Sequence, residues 1–320
     1  MTGAGRTAGV AAGALVGAGL AAFAWGALVE RTRWTVRHET VPVLPPGSRD
    51  LTVLHLSDLH MAPWQEGKQE FIRSLARFEP DLVVDTGDDL GHVDGIDGIE
   101  RAYAPFAGVP GVFTHGSNDY VGPMFKNPVA YLTRPSPRRR RGAKLDTLRL
   151  DRFLGDELGW LDLANEARGI EVRGLRLELF GTGDAHHGRD DLPRMSQRLD
   201  RMRREVRWSP STTPSTSDEV VRIGVTHAPY RRILDALVDE GADLIFAGHT
   251  HGGQVRIPGM PALTANCDLP REQASGLSQW DHGDRIAYLE VSAGLGTSIY
   301  APVRFACPPE AIVLTLVPRD

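Results

Sequence analysis

An α/β fold with a ligand-lined sheet edge is predicted by three features of this 320-residue chain. Short apolar runs, each the length of a strand, recur from residue 51 onward. Five of them end directly in Asp, His or Asn. A length of 320 residues with 41% hydrophobic content also suffices for one large domain with a substantial core. In open α/β sheets, ligands gather beyond the carboxyl ends of the strands. Five strands that each deliver such a side chain therefore describe a single oxygen- and nitrogen-lined metal site.

The elements follow in chain order. Residues 8–29 carry no charged side chain and are long enough to span a bilayer with some tilt. Leu15, Val16, Leu20, Phe23, Trp25, Leu28 and Val29 supply most of that hydrophobicity. Residues 1–30 read as a transmembrane anchor or as a signal segment, since Ala22-Phe23-Ala24 has the small-x-small form of a cleavage site. The anchor reading puts the protein at the cell membrane and the signal reading makes it secreted. Arg31, Arg33 and Arg37 outnumber Arg6 before the span, a lean towards a cytoplasmic domain. Residues 31–48 read as a juxtamembrane linker kept extended by Pro42, Pro45 and Pro46, and residues 49–320 as the catalytic domain.

Leu51-Thr52-Val53-Leu54-His55-Leu56 is predicted to be a buried strand running into Ser57-Asp58-Leu59-His60. Asp81–Asp85 runs into Thr86-Gly87-Asp88-Asp89, and Val109–Thr114 into His115-Gly116-Ser117-Asn118-Asp119. Apolar spacing from Leu145 to Leu158 predicts a helix stopped at Gly159. Strands follow at about 160–165 and 175–181, the second leading to Gly183-Asp184-Ala185-His186-His187-Gly188-Arg189. Val220–Thr226 leads to His227. Last, Ala242–Ala247 opens into Gly248-His249-Thr250-His251-Gly252-Gly253, the most informative stretch. Two histidines one residue apart on extended backbone point to the same side, because side-chain direction repeats every two residues.

Taken in order, Asp58-x-His60, Gly87-Asp88, Gly116-x-Asn118-Asp119, His227 and Gly248-His249-x-His251 resemble the motifs of the calcineurin-like metallophosphoesterases. The resemblance covers roughly residues 51–318. The tail Gly294–Ser298 with Arg304–Glu310 is similar to the membrane-associated bacterial branch, which includes UDP-diacylglucosamine hydrolases. It implies a four-layer α/β/β/α sandwich with a two-metal centre at the loop edges of two sheets. It further implies that Asp58, His60 and His251 hold one metal, that Asn118, His227 and His249 hold the other, and that Asp88 bridges them. Carboxylate, imidazole and amide oxygen suit Zn, Mn or Fe, and no thiolate cage is present. Two such ions about 3.5–4 Å apart can activate a hydroxide and neutralise charge on a phosphoryl oxygen. The expected activity is therefore hydrolysis of a phosphoester or pyrophosphate bond in a lipid- or nucleotide-linked substrate.

One motif departs from the family pattern of Gly-Asn-His-Asp or Gly-Asn-His-Glu. Here Gly116-Ser117-Asn118-Asp119 either puts Ser117 at the metal or keeps Asn118 there, with Asp119 in place of the usual His. An amide carbonyl is the better ligand, which favours Asn118. Asp119 or His115 is then the candidate proton donor. The altered motif also admits a second class of protein, a catalytically weak metal-binding scaffold of the same fold. A nuclease is the third reading, but a net charge of −5 gives no general pull towards nucleic acid. His186, His187 and Arg189 are candidates for gripping the substrate phosphate. The basic run Arg138-Arg139-Arg140-Arg141 reads as a solvated loop or a contact for anionic lipid, and Ser209–Ser217 as a flexible loop. Cys267 and Cys307 lack metal-type spacing and read as separate thiols, or as a disulfide in an oxidising compartment.

Overall fold

A computed structural model describes residues 3–123, 142–206 and 220–319. The basic run at 138–141 and the stretch 209–217 lie outside the described residues. Strands β1 (Thr35–Leu44), β2 (Leu51–Leu56), β3 (Leu82–Asp85), β4 (Gly111–Phe113), β5 (Leu161–Asp162) and β12 (Glu310–Pro318) form one sheet in the order β1-β12-β2-β3-β4-β5. The second sheet orders β10 (Gly276–His282), β11 (Arg285–Val291), β9 (Leu244–Ala247), β8 (Val220–Thr226), β7 (Leu175–Gly181) and β6 (Ala167–Val172). The pairs β2–β3, β3–β4, β4–β5, β7–β8, β8–β9 and β9–β11 are parallel.

The two-residue alternation of the strands builds four layers. Leu54, Leu56 and Val83 face outward onto a cluster with helices α2 (Glu66–Ser74), α3 (Ile96–Tyr103) and α4 (Thr147–Arg152). Leu51, Val53, Leu82 and Val84 face inward and meet Leu177, Leu179, Ile223, Val225, Leu244 and Phe246 of the other sheet. Phe180, Ile245 and Leu289 turn out again onto helices α5 (Leu192–Glu205) and α6 (Arg231–Asp239). Both faces of each sheet are thus covered, as parallel strands require. Arg37 on β1 also crosses between the sheets to Glu290 on β11, 2.5 Å away, while bonding Glu310 at 3.0 Å. The predicted helix around 145–158 is α4, continued by a wider turn at Phe153–Glu157.

Two N-terminal expectations need correction. Residues 31–48 are not a linker: β1 occupies most of them and pairs in parallel with β12 from Thr35 to Leu44. The prolines misled, since Pro42 is tolerated where an edge strand needs no further donor. A helix, α1, does run from Gly3 to Leu28, yet among the described residues no helix is long and apolar enough to cross a membrane. Ala and Gly fill so much of α1 that the absence of charge after Arg6 does not amount to strong apolarity. Cys267 and Cys307 are both free thiols.

Candidate metal centre

Each predicted ligand stands on a turn leaving a parallel strand, and the turns of both sheets converge. Five of these residues hold a left-handed backbone: Asp58, His60, Asp88, His249 and His251, with φ of 51°, 43°, 59°, 69° and 50°. Non-glycine residues seldom adopt this region, and such strain gathers at functional sites. His249 and His251 therefore sit on a coiled turn rather than on extended chain. The glycines beside them serve close approach. A Cβ on Gly116 would lie 2.1 Å from Asp88 Oδ1 and 2.6 Å from the His227 ring, and one on Gly248 would lie 2.0 Å from Ser57 Oγ.

The side chains meet in two clusters that share Asp58: Asp58, His60 and His251, and Asp58, Asp88 and His227. The Nε2 atoms of His60 and His251 approach to 3.1 Å. The Asp88 carboxylate, a member of the second cluster, also faces the first, with Oδ2 3.7 Å from His60 Nε2 and Oδ1 3.6 Å from His227 Nε2. His227 Nδ1 bonds the Thr86 carbonyl at 2.8 Å, which fixes the ring and aims Nε2 inward. Metal-bound histidines are oriented in this way by an outer acceptor.

These residues fit metal ions. Asp58 Oδ1, His60 Nδ1 and His227 Nε2 are buried and find no hydrogen-bond partner within the protein. Buried polar atoms are rarely left so. Burial holds His60 and His251 down to about 3, so both imidazoles are neutral and have lone pairs to give. Burial opposes charge on His227 too, but the Asp88 and Asp58 carboxylates outweigh it and push that imidazole up to about 9. A cation here would meet the same carboxylates in place of the proton.

Residues 51–253 match the calcineurin-like phosphoesterase family. The chain belongs to that family. It is 31% identical over 155 residues to phosphodiesterase YaeI of Escherichia coli, covering 48% of this chain and 47% of YaeI, about half of that relative's length. It is 28% identical to the uncharacterized metallophosphoesterase YkoQ of Bacillus subtilis, over 78% of each chain. It is also 24% identical to the uncharacterized metallophosphoesterase YkuE of Bacillus subtilis, over 96% of this chain and 93% of that one. Members of the family hydrolyse phosphoesters with two divalent metal ions, and the clusters around Asp58, His60, Asp88 and His227 supply a site for them.

In this phosphoesterase, the remaining predicted residues fall into three groups. Asn118 is buried beside Asp88: its backbone amide donates to Asp88 Oδ1 at 2.7 Å, and its side-chain amide donates to Oδ2. His249 stands outside both clusters. Its ring lies 5.2 Å from that of His227, with Nε2 3.3 Å from the Asn266 carbonyl. Asp119 and His115 are committed elsewhere. Both Asp119 oxygens accept backbone amides, those of Asp88, Asp89, Leu90 and Gly116, at 2.7–3.1 Å. His115 Nε2 bonds Asp151 at 2.7 Å, and Nδ1 lies 3.7 Å from Asp119. Burial opposes its charge, but these two carboxylates outweigh it and push the imidazole up to about 10.

The loop after β7 also lies against the centre. The His186 ring stands 4.5 Å from that of His249 and bonds Tyr230 Oη at 2.9 Å. His187 bonds Asp184 at 2.9 Å, and the exposed Arg189 stacks its guanidinium 3.6 Å from the Tyr120 ring centre. Three participants escaped the sequence. The Thr86 and Asn266 contacts are backbone carbonyls, which no residue pattern encodes. Arg304 is wholly buried and donates to the carbonyls of Ala293, Gly294 and Gly296, with Nη2 3.3 Å from His251 Nδ1. The tail motif that contains Arg304 gives no sign of this contact.

Proposed function

We propose that this chain hydrolyses a phosphodiester or pyrophosphate bond in a lipid- or nucleotide-linked substrate at a two-metal centre. The observation that carries the reading is the Asp88 carboxylate with one oxygen 3.7 Å from His60 of the first cluster and the other 3.6 Å from His227 of its own. In this reading Asp58, His60 and His251 hold one ion. Asn118, His227 and His249 hold the other, and Asp88 serves both. Asp89 is a poor rival for the bridge, because it is buried against Tyr103 Oη at 3.3 Å. Bound there, two divalent ions would make a water nucleophilic near neutral pH and offset charge growing on the phosphoryl oxygens.

The chain's own residues do the rest. Ser57 Oγ and the His249 backbone amide donate to Asp58 Oδ2 at 2.6 and 2.8 Å, which keeps Oδ1 for the metal. Asp119 holds the Asp88 turn to the Gly116 turn, and His115 braces Asp119. Neither is then free to protonate a leaving oxygen. A leaving group that departs as a stable anion, such as the phosphate released from a pyrophosphate bond, needs little such help, which favours a pyrophosphate over a simple alkyl ester. The name of the relative YaeI as a phosphodiesterase is what supports the diester alternative. His186 is the candidate phosphate contact nearest the ligands, with His187 and Arg189 further along the same loop. The uncharged stretch of α1 after Arg6 would keep the enzyme at a membrane.

The test is turnover by metal-loaded protein of bis(p-nitrophenyl) phosphate, p-nitrophenyl phosphate, nucleotide pyrophosphates and phospholipids. Diesters or pyrophosphates should be turned over fastest. Binding of two metals with no hydrolysis of any of them would favour the scaffold reading.

A further inference from the structure

Beyond the metal ligands, exposed apolar side chains stand on α1 and on loops tied to the His251 turn. Along α1, Val16, Leu20, Phe23 and Leu28 are 61–71% exposed. At about 100° per residue, Val16, Leu20 and Phe23 share one side of the helix while Trp25, Leu28 and Val29 lie on the opposite one. A protein partner would cover one side of such a helix. Exposed apolar side chains on both sides of the later half of α1 are instead matched by a lipid interface, which can wrap the helix without being crossed by it. Trp25, with the Arg33 guanidinium 5.7 Å from its ring, closes the stretch with the residue types that favour a membrane–water boundary.

That surface continues onto loops beside a metal ligand. Val255, Ile257 and Met260, just past His251, are 41%, 48% and 53% exposed, and Tyr300 is 48% exposed. Gln254 Nε2 donates to the Ala301 carbonyl, and the Phe305 amide to the Gln254 carbonyl, so the two loops are joined. The Arg304 amide in turn donates to the Gly26 carbonyl of α1 at 3.1 Å, and Glu30 accepts the Cys307 amide at 2.7 Å. Arg304 thus ties α1 by its backbone and the His251 turn by its side chain.

We propose that the end of α1 and the loops at 255–260 and 297–303 form one docking surface for an anionic bilayer. It would hold the metal centre against the headgroups, so that a phosphoester presented by the membrane is the substrate. Arg31 and Arg33 at the foot of α1 supply the complementary charge. The substrate part rests on the phosphoesterase reading above, and the docking does not.

The experiment is sedimentation of the full chain with vesicles of phosphatidylglycerol and phosphatidylcholine, alongside turnover of bis(p-nitrophenyl) phosphate in free solution. Two variants are compared, Ile257→Glu with Met260→Glu and Tyr300→Glu, and Leu20→Glu with Phe23→Glu. Wild type should pellet with anionic vesicles, and each variant should partition about tenfold more weakly or worse. Solution turnover should stay unchanged, which also reports that the variants are folded. Equal partition of wild type and loop variant would overturn the shared surface. A wild type that ignores vesicles but self-associates until these residues are charged would instead assign the surface to a second copy. Absence of solution turnover with vesicle binding intact would count against the hydrolytic reading alone.

Discussion

Replacing Asp119 with Asn swaps one carboxylate oxygen for an amide nitrogen at nearly constant volume. Oδ1 accepts the amides of Asp89 and Leu90 at 2.7 and 3.1 Å, and Oδ2 those of Asp88 and Gly116, both at 2.8 Å. Whichever oxygen is lost, two buried backbone donors lose their acceptor and face another donor. An unsatisfied buried donor costs about 1–3 kcal/mol, so the pair should cost about 2–6 kcal/mol. That is a large part of a typical total stability of about 5–15 kcal/mol. The affected amides belong to the turns that carry Asp88 and Asn118, so metal affinity should fall along with stability. Urea unfolding gives the first quantity, and a metal titration the second. Rates on a p-nitrophenyl ester and on a diester with a poor leaving group should fall by the same factor. A variant as stable as wild type that loses only the poor-leaving-group reaction would make Asp119 the proton donor and refute this reasoning.

Asn118→Ala should weaken binding of one metal and slow every substrate, because the side-chain amide of Asn118, and not the Ser117 hydroxyl, bonds Asp88. Ser117→Ala should change metal titration little; the reverse order would restore Ser117 as the ligand. A chain starting at Arg33 should fold and turn over a soluble phosphoester, whereas one starting at Arg49 should aggregate. The second lacks β1, whose Val41, Val43 and Leu44 are at most 2% exposed and contribute about 1.5–3 kcal/mol each. It also strips the buried Glu290 of Arg37. Circular dichroism and size-exclusion profiles of the two chains check this, and a well-folded protein from Arg49 would show that β1 is dispensable.

The parts legible in the sequence were those written in local patterns. β8 coincides with the apolar run 220–226, and β2 with 51–56, because both strands are covered on two faces and read as continuous hydrophobic stretches. The ligand residues were legible because each follows such a run directly. β1 was not, since its burial alternates and three prolines sit in or after it; only pairing with β12, some 270 residues away, makes it a strand. The transmembrane expectation counted missing charges where apolarity was the relevant quantity. Asp119 looked like an acid because it occupies the place of a family His, and only the three-dimensional arrangement brings four backbone amides to it. Arg304 and the carbonyls of Thr86 and Asn266 act through contacts between distant segments, which no local spacing records.

The central claim is that the Asp88 carboxylate serves two metal ions at once, and metal content of Asp88→Asn measures it most directly. Elemental analysis of wild type loaded with Mn or Zn should find two ions per chain, one for Asp58, His60 and His251 and one for the cluster of Asp58, Asp88 and His227. Asp88→Asn keeps the shape and hydrogen-bonding size of the side chain but removes the negative charge that faces both clusters. It should hold less than one ion per chain after desalting and lose nearly all bis(p-nitrophenyl) phosphate hydrolysis. Two tightly held ions in the variant would contradict the account, because another group would then have to be joining them.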